Sequence, residues 1–341
     1  MNKPRICVFS IFDEPYIGVA NASVFDNFKD YCDLYGYDLK YKKVTAEDKK
    51  PIFNAANYEI ATAWFKIKGC LDLLETNQYD YVFFIDADCL FLNTTITLES
   101  FISEDHFLVC SKTHDTIYGI PEIISSHMLF KNCEASKNFL REVWSKTKTA
   151  TKFLHTHPWE QHHVNEVASF GPYAGKDYKI NFKDGIKVLD NCILNSCWPH
   201  FDPITLKIHH YSNREIYEIG HFTGHFCGYP TDQRESLMRA ANQHLSGGYI
   251  TNWRISNFNE TSSGFEYVIR YDTTVPGFSN IKLIFEAGDK SEFRVEVNVE
   301  DVFPNYGYFT TLYTQKKYSY FRVSCFFEGA LIAKRIVRNA E

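Results

Sequence analysis

Residues 78–93 read QYDYVFFIDADCLFLN, and the fold that we predict is built around this stretch. Its apolar, aromatic-rich run at 81–85 is typical of a strand buried on both faces of a parallel sheet. The run ends in Asp86-Ala87-Asp88, where two carboxylates are costly to bury unless a cation meets them. Asp86 and Asp88 are two residues apart, so in extended chain their side chains leave on the same face. The pair can therefore hold one divalent cation, either Mg²⁺ or Mn²⁺, although an isolated Asp-x-Asp is more often a solvated turn.

Length and composition restrict the protein class. The chain has 341 residues, enough for two domains, and its net charge of −6 lacks the basic footprint of a nucleic-acid-binding protein. No apolar stretch approaches the roughly 20 residues of a membrane span, and the N-terminus lacks the apolar region of a signal peptide. The ten cysteines are scattered without Cys-x-x-Cys spacing, which indicates reduced core thiols. We therefore predict a cytoplasmic protein with no transmembrane segment.

The first two thirds of the chain predict an α/β domain. Residues 5–12 read as a buried strand, residues 19–35 as a helix with Gly36 as its C-cap, and residues 38–44 as a second strand. This is the β-α-β opening of a parallel sheet. Ligands bind at the carboxyl ends of strands in such sheets. Ile11, near the end of the first strand, and Tyr16, in the loop that follows, are therefore candidate nucleotide-binding residues.

A second helix is predicted over residues 57–76, before the stretch at 78–93. Lys66 lies off the apolar stripe of this helix. A solvated lysine is the commoner fate of such a residue, and a contact with a phosphate or sugar is the functional alternative. A further short helix is predicted to begin near Pro158, where proline is favoured in the first turn.

The pattern changes after Ser246-Gly247-Gly248. Beyond this point short segments alternate apolar and polar residues with turn residues between them, which predicts an antiparallel β-sandwich. The sequence thus predicts two domains, at residues 1–246 and 247–341.

Four segments of the first domain together resemble a known family. They occur in the order WFK at 64–66, FFIDADCLF at 83–91, WEQ at 159–161 and HFCG at 225–228. In this order they resemble the GT-A glycosyltransferases, most closely the galactosyl/mannosyl/xylosyltransferase family typified by fungal α-mannosyltransferases and plant xyloglucan xylosyltransferases. The resemblance covers roughly residues 5–245. It implies a Rossmann-like GT-A fold with a mostly parallel sheet flanked by helices.

The resemblance also implies a metal site. In that family an Asp-x-Asp pair and a later histidine hold Mn²⁺ against the diphosphate of the donor, and the matching residues here are Asp86, Asp88 and His225. A mixed carboxylate and imidazole set suits Mn²⁺ better than Mg²⁺ because imidazole is the softer ligand. Asp86, Ala87 and Gly228 are expected at the nucleotide, where Gly228 would permit close approach of the backbone to a phosphate.

Glu160 and Gln161 are the catalytic residues that the resemblance implies. They would lie on the face of the donor sugar, with Gln161 near the anomeric carbon and Glu160 as a nucleophile-like or sugar-orienting carboxylate. The family retains the anomeric configuration. A cluster of histidines lies nearby, at His155, His157, His162 and His163. Its spacing matches no zinc site, so we interpret it as part of a polar loop that lines an acceptor cleft.

Two departures from the family pattern stand out. The basic residue expected two positions after the glycine of HFCG is Pro230 here, so a diphosphate contact is missing or comes from Arg234 or Lys66. The family's Asn-x-Gly before the next strand reads Ile124-Ser125-Ser126, which leaves the identity of the sugar open.

The resulting hypothesis is a metal-dependent, retaining glycosyltransferase. It would move a sugar from a UDP- or GDP-sugar to a glycan acceptor, while the β-sandwich positions the acceptor or builds an oligomer. The alternative is a non-catalytic carbohydrate-binding protein with a degenerate transferase domain and a lectin-like sandwich.

Overall fold

The structure is a computed structural model, and it describes residues 3–50, 59–113, 122–149, 153–154, 157, 159–170, 182–198, 200–202, 207–209, 217, 220–245, 250–273, 281–288, 292–299, 307–327 and 330–338. Within these ranges the chain has a mixed α/β architecture with several antiparallel sheets.

Strands are distributed along the whole described chain. Their bounds are β1 Ile6–Asp13, β2 Asp38–Val44, β3 Tyr81–Ile85, β4 Cys89–Phe91, β5 Leu108–Thr113, β6 Glu122–Lys131, β7 Ile186–Leu189, β8 Ser196–Cys197, β9 His200–Asp202, β10 Lys207–His209, β11 Thr223–His225, β12 Ile250–Thr261, β13 Gly264–Thr273, β14 Ile281–Ala287, β15 Phe293–Val299, β16 Gly307–Thr314, β17 Tyr320–Phe327 and β18 Ala330–Arg338.

Helices lie between the strands up to residue 245. The α-helices are α1 Ile17–Ala22, α2 Lys29–Tyr35, α3 Phe65–Glu75, α4 Glu134–Ser145, α5 Glu160–Val167, α6 Asn191–Leu194 and α7 Thr231–Leu245. A π-helix joins α1 to α2 at Ser23–Phe28. Short 3₁₀ turns are found at Glu14–Tyr16, Thr62–Trp64, Leu98–Phe101, Lys146–Lys148 and Lys183–Gly185.

A six-stranded sheet forms the centre of the first part of the chain. Its strand order is β2-β1-β3-β6-β5-β7. β1 pairs in parallel with β2 and β3, and β5 pairs in parallel with β7. β6 runs antiparallel to both of its neighbours. The predicted parallel opening is therefore confirmed, while the complete sheet is mixed.

The predicted two-sided burial of the strand at 81–85 is confirmed. All five residues of β3 are buried. Val82 and Phe84 enter one hydrophobic cluster, whereas Tyr81, Phe83 and Ile85 enter another on the opposite face, as the two-residue repeat of a strand requires. β3 therefore connects both layers of the core.

The predicted helices agree with the structure in kind but not in all bounds. The predicted helix at 19–35 contains the π-helical turn, and Gly36 caps it in the left-handed conformation (φ 69°) as expected. The α-helix predicted over 57–76 begins only at Phe65, after a 3₁₀ turn, and residues 57 and 58 lie outside the described residues. Helix α6 lies between the short strands β7 and β8.

Two antiparallel sheets follow helix α7. One has the order β12-β13-β16 and the other β15-β14-β17-β18. Their facing side chains share one hydrophobic cluster that contains Tyr267 and Ile269 from the first sheet and Leu283 and Val323 from the second. The predicted boundary at 246–248 lies outside the described residues.

Strand β18 contacts the first part of the chain at helix α2. Arg338 Nη2 donates to Asp30 Oδ1 at 2.6 Å and to Asp33 Oδ2 at 3.0 Å. Arg335 donates to the carbonyl of Asn242 at 3.1 Å. The Arg338 contacts fix the last strand against α2, and the Arg335 contact joins it to α7.

The described residues bear on two expectations from the sequence, which concern the cysteines and membrane-spanning helices. The cysteines among them are free thiols, and most are buried, as the sequence predicted. Within the same residues, no helix is long and apolar enough to cross a membrane.

Phe91→Ala should destabilise the protein strongly. The Phe91 ring is fully buried and stacks on Tyr31 at 3.9 Å between ring centroids, with Phe28 and Phe222 also in contact. Truncation leaves a cavity, so we expect a loss of about 3–5 kcal/mol in the free energy of unfolding, measured by urea titration. Tyr313→Ala, at a side chain that is 68% exposed, is the matched control and should change it by less than about 0.5 kcal/mol. Equal effects of the two substitutions would contradict this account of the core.

Candidate active site

The two aspartates lie in the turn between β3 and β4. The Asp86 N–H donates to the carbonyl of Ser126 at 3.0 Å, and the Cys89 N–H closes the turn on the carbonyl of Asp86 at 3.1 Å. Ala87 is buried, and its carbonyl accepts a hydrogen bond from Ser23 Oγ at 2.6 Å. The backbone between the two carboxylates is thus held by bonds from both sides.

His225 is brought to Asp88 by strand pairing. β11 runs antiparallel to β4 with His225 opposite Cys89, and the Phe226 N–H donates to the Asp88 carbonyl at 2.8 Å. His225 Nε2 lies 3.4 Å from Asp88 Oδ1. The contact at the other ring nitrogen joins His225 Nδ1 to Asn195 Oδ1 at 2.9 Å, and since an amide oxygen only accepts, it places the proton on Nδ1.

This arrangement fits a divalent metal. An imidazole held at one nitrogen by a hydrogen-bond acceptor, with its other nitrogen at a carboxylate, has the orientation of a metal-ligating histidine. Possible ligand atoms of Asp88, Cys89 and His225 all lie within 4.8 Å of one another. Burial raises the pKa of the Cys89 thiol far above its usual value, so this thiol stays neutral. The carboxylate and imidazole that remain are donors that suit Mn²⁺.

Asp88 also forms an ion pair with Arg234. Arg234 Nη1 donates to Asp88 Oδ2 at 2.9 Å and to the Tyr16 hydroxyl at 2.8 Å. Burial would raise the pKa of Asp88, but the positive charges of His225 and Arg234 outweigh burial and hold it below its usual range. Burial lowers the pKa of His225, but the interactions with Cys227 and Asp88 outweigh burial and raise the pKa to about 9.

Asp86 faces Lys66. Lys66 Nζ lies 2.9 Å from Asp86 Oδ1 and 3.0 Å from Glu160 Oε1, and Lys66 is 4% exposed. The solvated lysine that was the commoner expectation is therefore wrong. Burial lowers the pKa of Lys66, but the two carboxylates outweigh it and keep the ammonium charged. The structure thus joins Asp86 to Glu160 through one buried cation.

Glu160 and Gln161 are joined to this network through Ser125. Ser125 Oγ donates to Glu160 Oε1 at 2.8 Å, and the Ser125 N–H donates to Gln161 Oε1 at 3.3 Å. Glu160 Oε2 is buried and has no hydrogen-bond partner among the described residues. Asn165 fixes helix α5 to β6, because its side chain accepts from the Ile123 N–H and donates to the Ile123 carbonyl.

A β-bulge in strand β6 places Ser125 beside Glu160 and Gln161. Cys110 pairs with Met128, but the next residue, Ser111, pairs with Ile124, so residues 125–127 are extra on β6. Bulges re-aim side chains and are common beside active sites. This bulge coincides with the place where Ser125 and Ser126 depart from the family pattern.

The other predicted nucleotide-binding residues lie around the same end of the sheet. Ile11 lies on β1, and its side chain is buried in the hydrophobic core. Tyr16 receives the hydrogen bond from Arg234. Gly228 has φ 85°, a conformation that favours glycine, in the segment between β11 and α7. Ligand binding by these residues stays a prediction.

The histidine cluster is only partly described. His155 lies outside the described residues. His163 is on helix α5, buried beside Trp64 at 5.4 Å between ring centroids, so it does not belong to a polar loop as expected. His162, His163 and Glu166 have possible ligand atoms within 4.8 Å of one another. Within this group His163 Nδ1 lies 2.6 Å from Glu166 Oε2.

Lys66→Met should destabilise the protein by about 3 kcal/mol, because Asp86 and the buried Glu160 would lose their shared cation. Urea unfolding measures the loss. Adding Glu160→Gln in the same chain should restore part of it. Lys68→Met, at a lysine that is half exposed two residues away, is the matched control and should cost no more than about 0.5 kcal/mol. If Lys66→Met behaved like this control, the ion-pair network would carry no stability.

Comparison with known proteins gives one family match. Residues 13–150 match the galactosyl transferase GMA12/MNN10 family. The matched segment contains Lys66, Asp86 and Asp88 but not Glu160, Gln161 or His225. None of the curated proteins compared matches the chain.

Solved structures of glycosyltransferases are similar to the chain at low sequence identity. The galactosyltransferase LgtC in complex with donor and acceptor sugar analogues is 12% identical over 69% of this chain and 95% of its own, with a TM-score of 0.38. The glycosyltransferase GlyE of Streptococcus pneumoniae TIGR4 is 14% identical over 56% of this chain and 46% of its own, with a TM-score of 0.34. A mutant of Drosophila β1,4-galactosyltransferase 7 in complex with manganese, UDP-Gal and xylobiose is 10% identical over 75% of this chain and 88% of its own, with a TM-score of 0.36.

The family match confirms the resemblance that the sequence motifs indicated, over the part of the chain that contains the aspartate pair. Residues 13–150 are similar to the galactosyl transferase GMA12/MNN10 family, as the motifs indicated, and the chain is a glycosyltransferase.

Proposed function

We propose that the chain is a metal-dependent glycosyltransferase of GT-A fold that uses a UDP- or GDP-sugar and transfers the sugar to a glycan acceptor with retention of configuration. The observation that carries the proposal is the placement of Asp88 and His225 on paired strands, with the imidazole oriented by Asn195. A buried histidine in this orientation, at the carboxyl end of a core strand, is suited to a metal and its nucleotide.

Asp86, Asp88 and His225 would hold Mn²⁺ or Mg²⁺. The metal would act as a Lewis acid that neutralises charge on the leaving diphosphate. Asp88 and His225 are already adjacent, whereas Asp86 would exchange its contact with Lys66 for the metal. Ile11, Tyr16, Lys66, Ala87 and Gly228 are the further residues that we assign to the donor pocket.

Glu160 and Gln161 would act on the donor sugar. The unpartnered Oε2 of Glu160 is an acceptor in a buried position, and Lys66 balances the charge of this carboxylate. Such a carboxylate can orient a sugar hydroxyl or stabilise positive charge near the anomeric carbon. Ser125 holds both side chains, so the pair would be positioned before the donor binds.

The part of the chain after residue 246 would be an accessory β-sandwich domain, next to a catalytic domain at residues 1–246. Its two sheets share one core, and β18 fixes it to α2. We propose that it positions the acceptor. Oligomer formation through this domain and a cytoplasmic location stay predictions.

A thermal-shift panel tests the proposed function. UDP, GDP and their common sugar conjugates are each added with and without Mn²⁺. A ligand that binds only the native state raises the Tm, and at 100 times its Kd it adds about 2.7 kcal/mol to stability. We expect a shift with one nucleotide only when Mn²⁺ is present.

Asp88→Asn should abolish this shift because it removes a metal ligand. Asp80→Asn is the matched control, since Asp80 lies just before the amino end of β3 and is half exposed. The control should keep the full shift. No shift of the wild-type protein with any nucleotide would overturn the transferase proposal and favour the non-catalytic carbohydrate-binding protein.

A further inference from the structure

We propose that Arg234 is a diphosphate-binding residue, and that it leaves Asp88 for the diphosphate when the metal and the nucleotide bind. This inference rests on the proposed function. It assigns a role to a residue outside the segment that matches the family.

Three of the five N–H donors of Arg234 are used by described residues, and the N–H of Nε is one of the two that remain. The side chain is 8% exposed. Its Nη1 donates to Asp88 and Tyr16, and its Nη2 donates to the carbonyl of Tyr229 at 2.7 Å. Nε is buried and has no partner among the described residues. A buried guanidinium N–H without an acceptor is costly, and an anion would satisfy it.

The start of helix α7 adds a second reason for an anion here. The helix runs from Thr231 to Leu245, and Arg234 is in its first turn, where the Arg234 N–H donates to the carbonyl of Pro230 at 2.9 Å. The N–H groups of the three residues before Arg234 have no acceptor within the helix. The N-terminus of such a helix favours negative charge and commonly binds phosphate.

The chain order places this helix start beside the metal ligands. His225 is followed by Gly228 three residues later, and α7 begins three residues after that. Arg234 then reaches back to Asp88, the carboxylate that His225 also contacts. A diphosphate bound to a metal at Asp88 and His225 would therefore lie within reach of the guanidinium.

Lys66 is less suited to this role. Two carboxylates hold its Nζ at 2.9 and 3.0 Å, and it bonds the Ser125 carbonyl at 3.4 Å as well. Among the described residues Arg234 has Asp88 as its carboxylate partner, and the metal would take over that carboxylate. The guanidinium would then be repelled by the metal and attracted by the phosphates that arrive with it.

This exchange predicts opposite effects of one substitution on two ligands. In Arg234→Gln the competing cation at Asp88 is gone, so Mn²⁺ alone should bind at least as tightly as it binds the wild type. UDP or GDP in the presence of saturating Mn²⁺ should bind about 10- to 100-fold more weakly, because charged hydrogen bonds to the phosphates are lost. Isothermal titration calorimetry of the full chain measures both affinities.

Two further variants serve as controls for the effect of Arg234→Gln. Arg239→Gln changes an exposed arginine on the same helix and should leave both affinities unchanged. Arg234→Lys keeps the charge without the planar fork and should recover part of the nucleotide affinity. Unfolding curves check that each variant is folded.

The outcomes separate the two proposals. Wild-type protein that binds neither UDP nor GDP with Mn²⁺ would overturn the proposed function and this inference with it. Wild-type protein that binds a nucleotide no better than Arg234→Gln does would overturn the inference alone. A parallel loss of Mn²⁺ affinity in Arg234→Gln would also overturn it, because Arg234 would then only hold Asp88 in place.

Discussion

The ion pairs of Lys66 are the interaction on which the rest of the site depends. A strand that is buried on both faces delivers Asp86 to the end of the core, and helix α5 delivers Glu160 to the same place. Without a cation, these carboxylates would repel each other at low dielectric constant. Lys66 comes from α3, which packs against the same sheet, so one side chain links the strand, the helix before it and the helix that carries the proposed catalytic pair.

Strand pairing, and not the ion pairs of Lys66, sets the position of His225. His225 is far from Asp88 in sequence, yet the β4 and β11 register sets their separation, since His225 opposes Cys89 and the next N–H bonds the Asp88 carbonyl. The same small sheet includes β8, which follows Asn195 directly. Backbone hydrogen bonds therefore position both the histidine and the amide that fixes its tautomer. Preorganised groups of this kind cost little reorganisation when a ligand binds.

The sequence predicted the features that local pattern determines. The apolar run 81–85, the aspartates after it and the glycine cap at Gly36 depend on neighbouring residues alone, and the structure contains all three. The antiparallel insertion of β6 and the burial of Lys66 depend on which strands and helices meet in space, so no local pattern contains them. Arg234 was one of two open choices for a phosphate contact, because sequence spacing does not show how far back a helical arginine reaches.

The charges of the site favour binding of the metal and the nucleotide as one complex. Three carboxylates, Asp86, Asp88 and Glu160, meet two cations, Lys66 and Arg234, and the imidazole of His225. The carboxylates are thus largely compensated by the chain itself, so a divalent cation entering alone would meet little uncompensated negative charge and two like charges. A diphosphate entering alone would meet three carboxylates. In a metal–diphosphate complex the positive metal faces the carboxylates and the negative phosphates face the two cations. Electrostatics therefore favours entry of the two ligands as a complex.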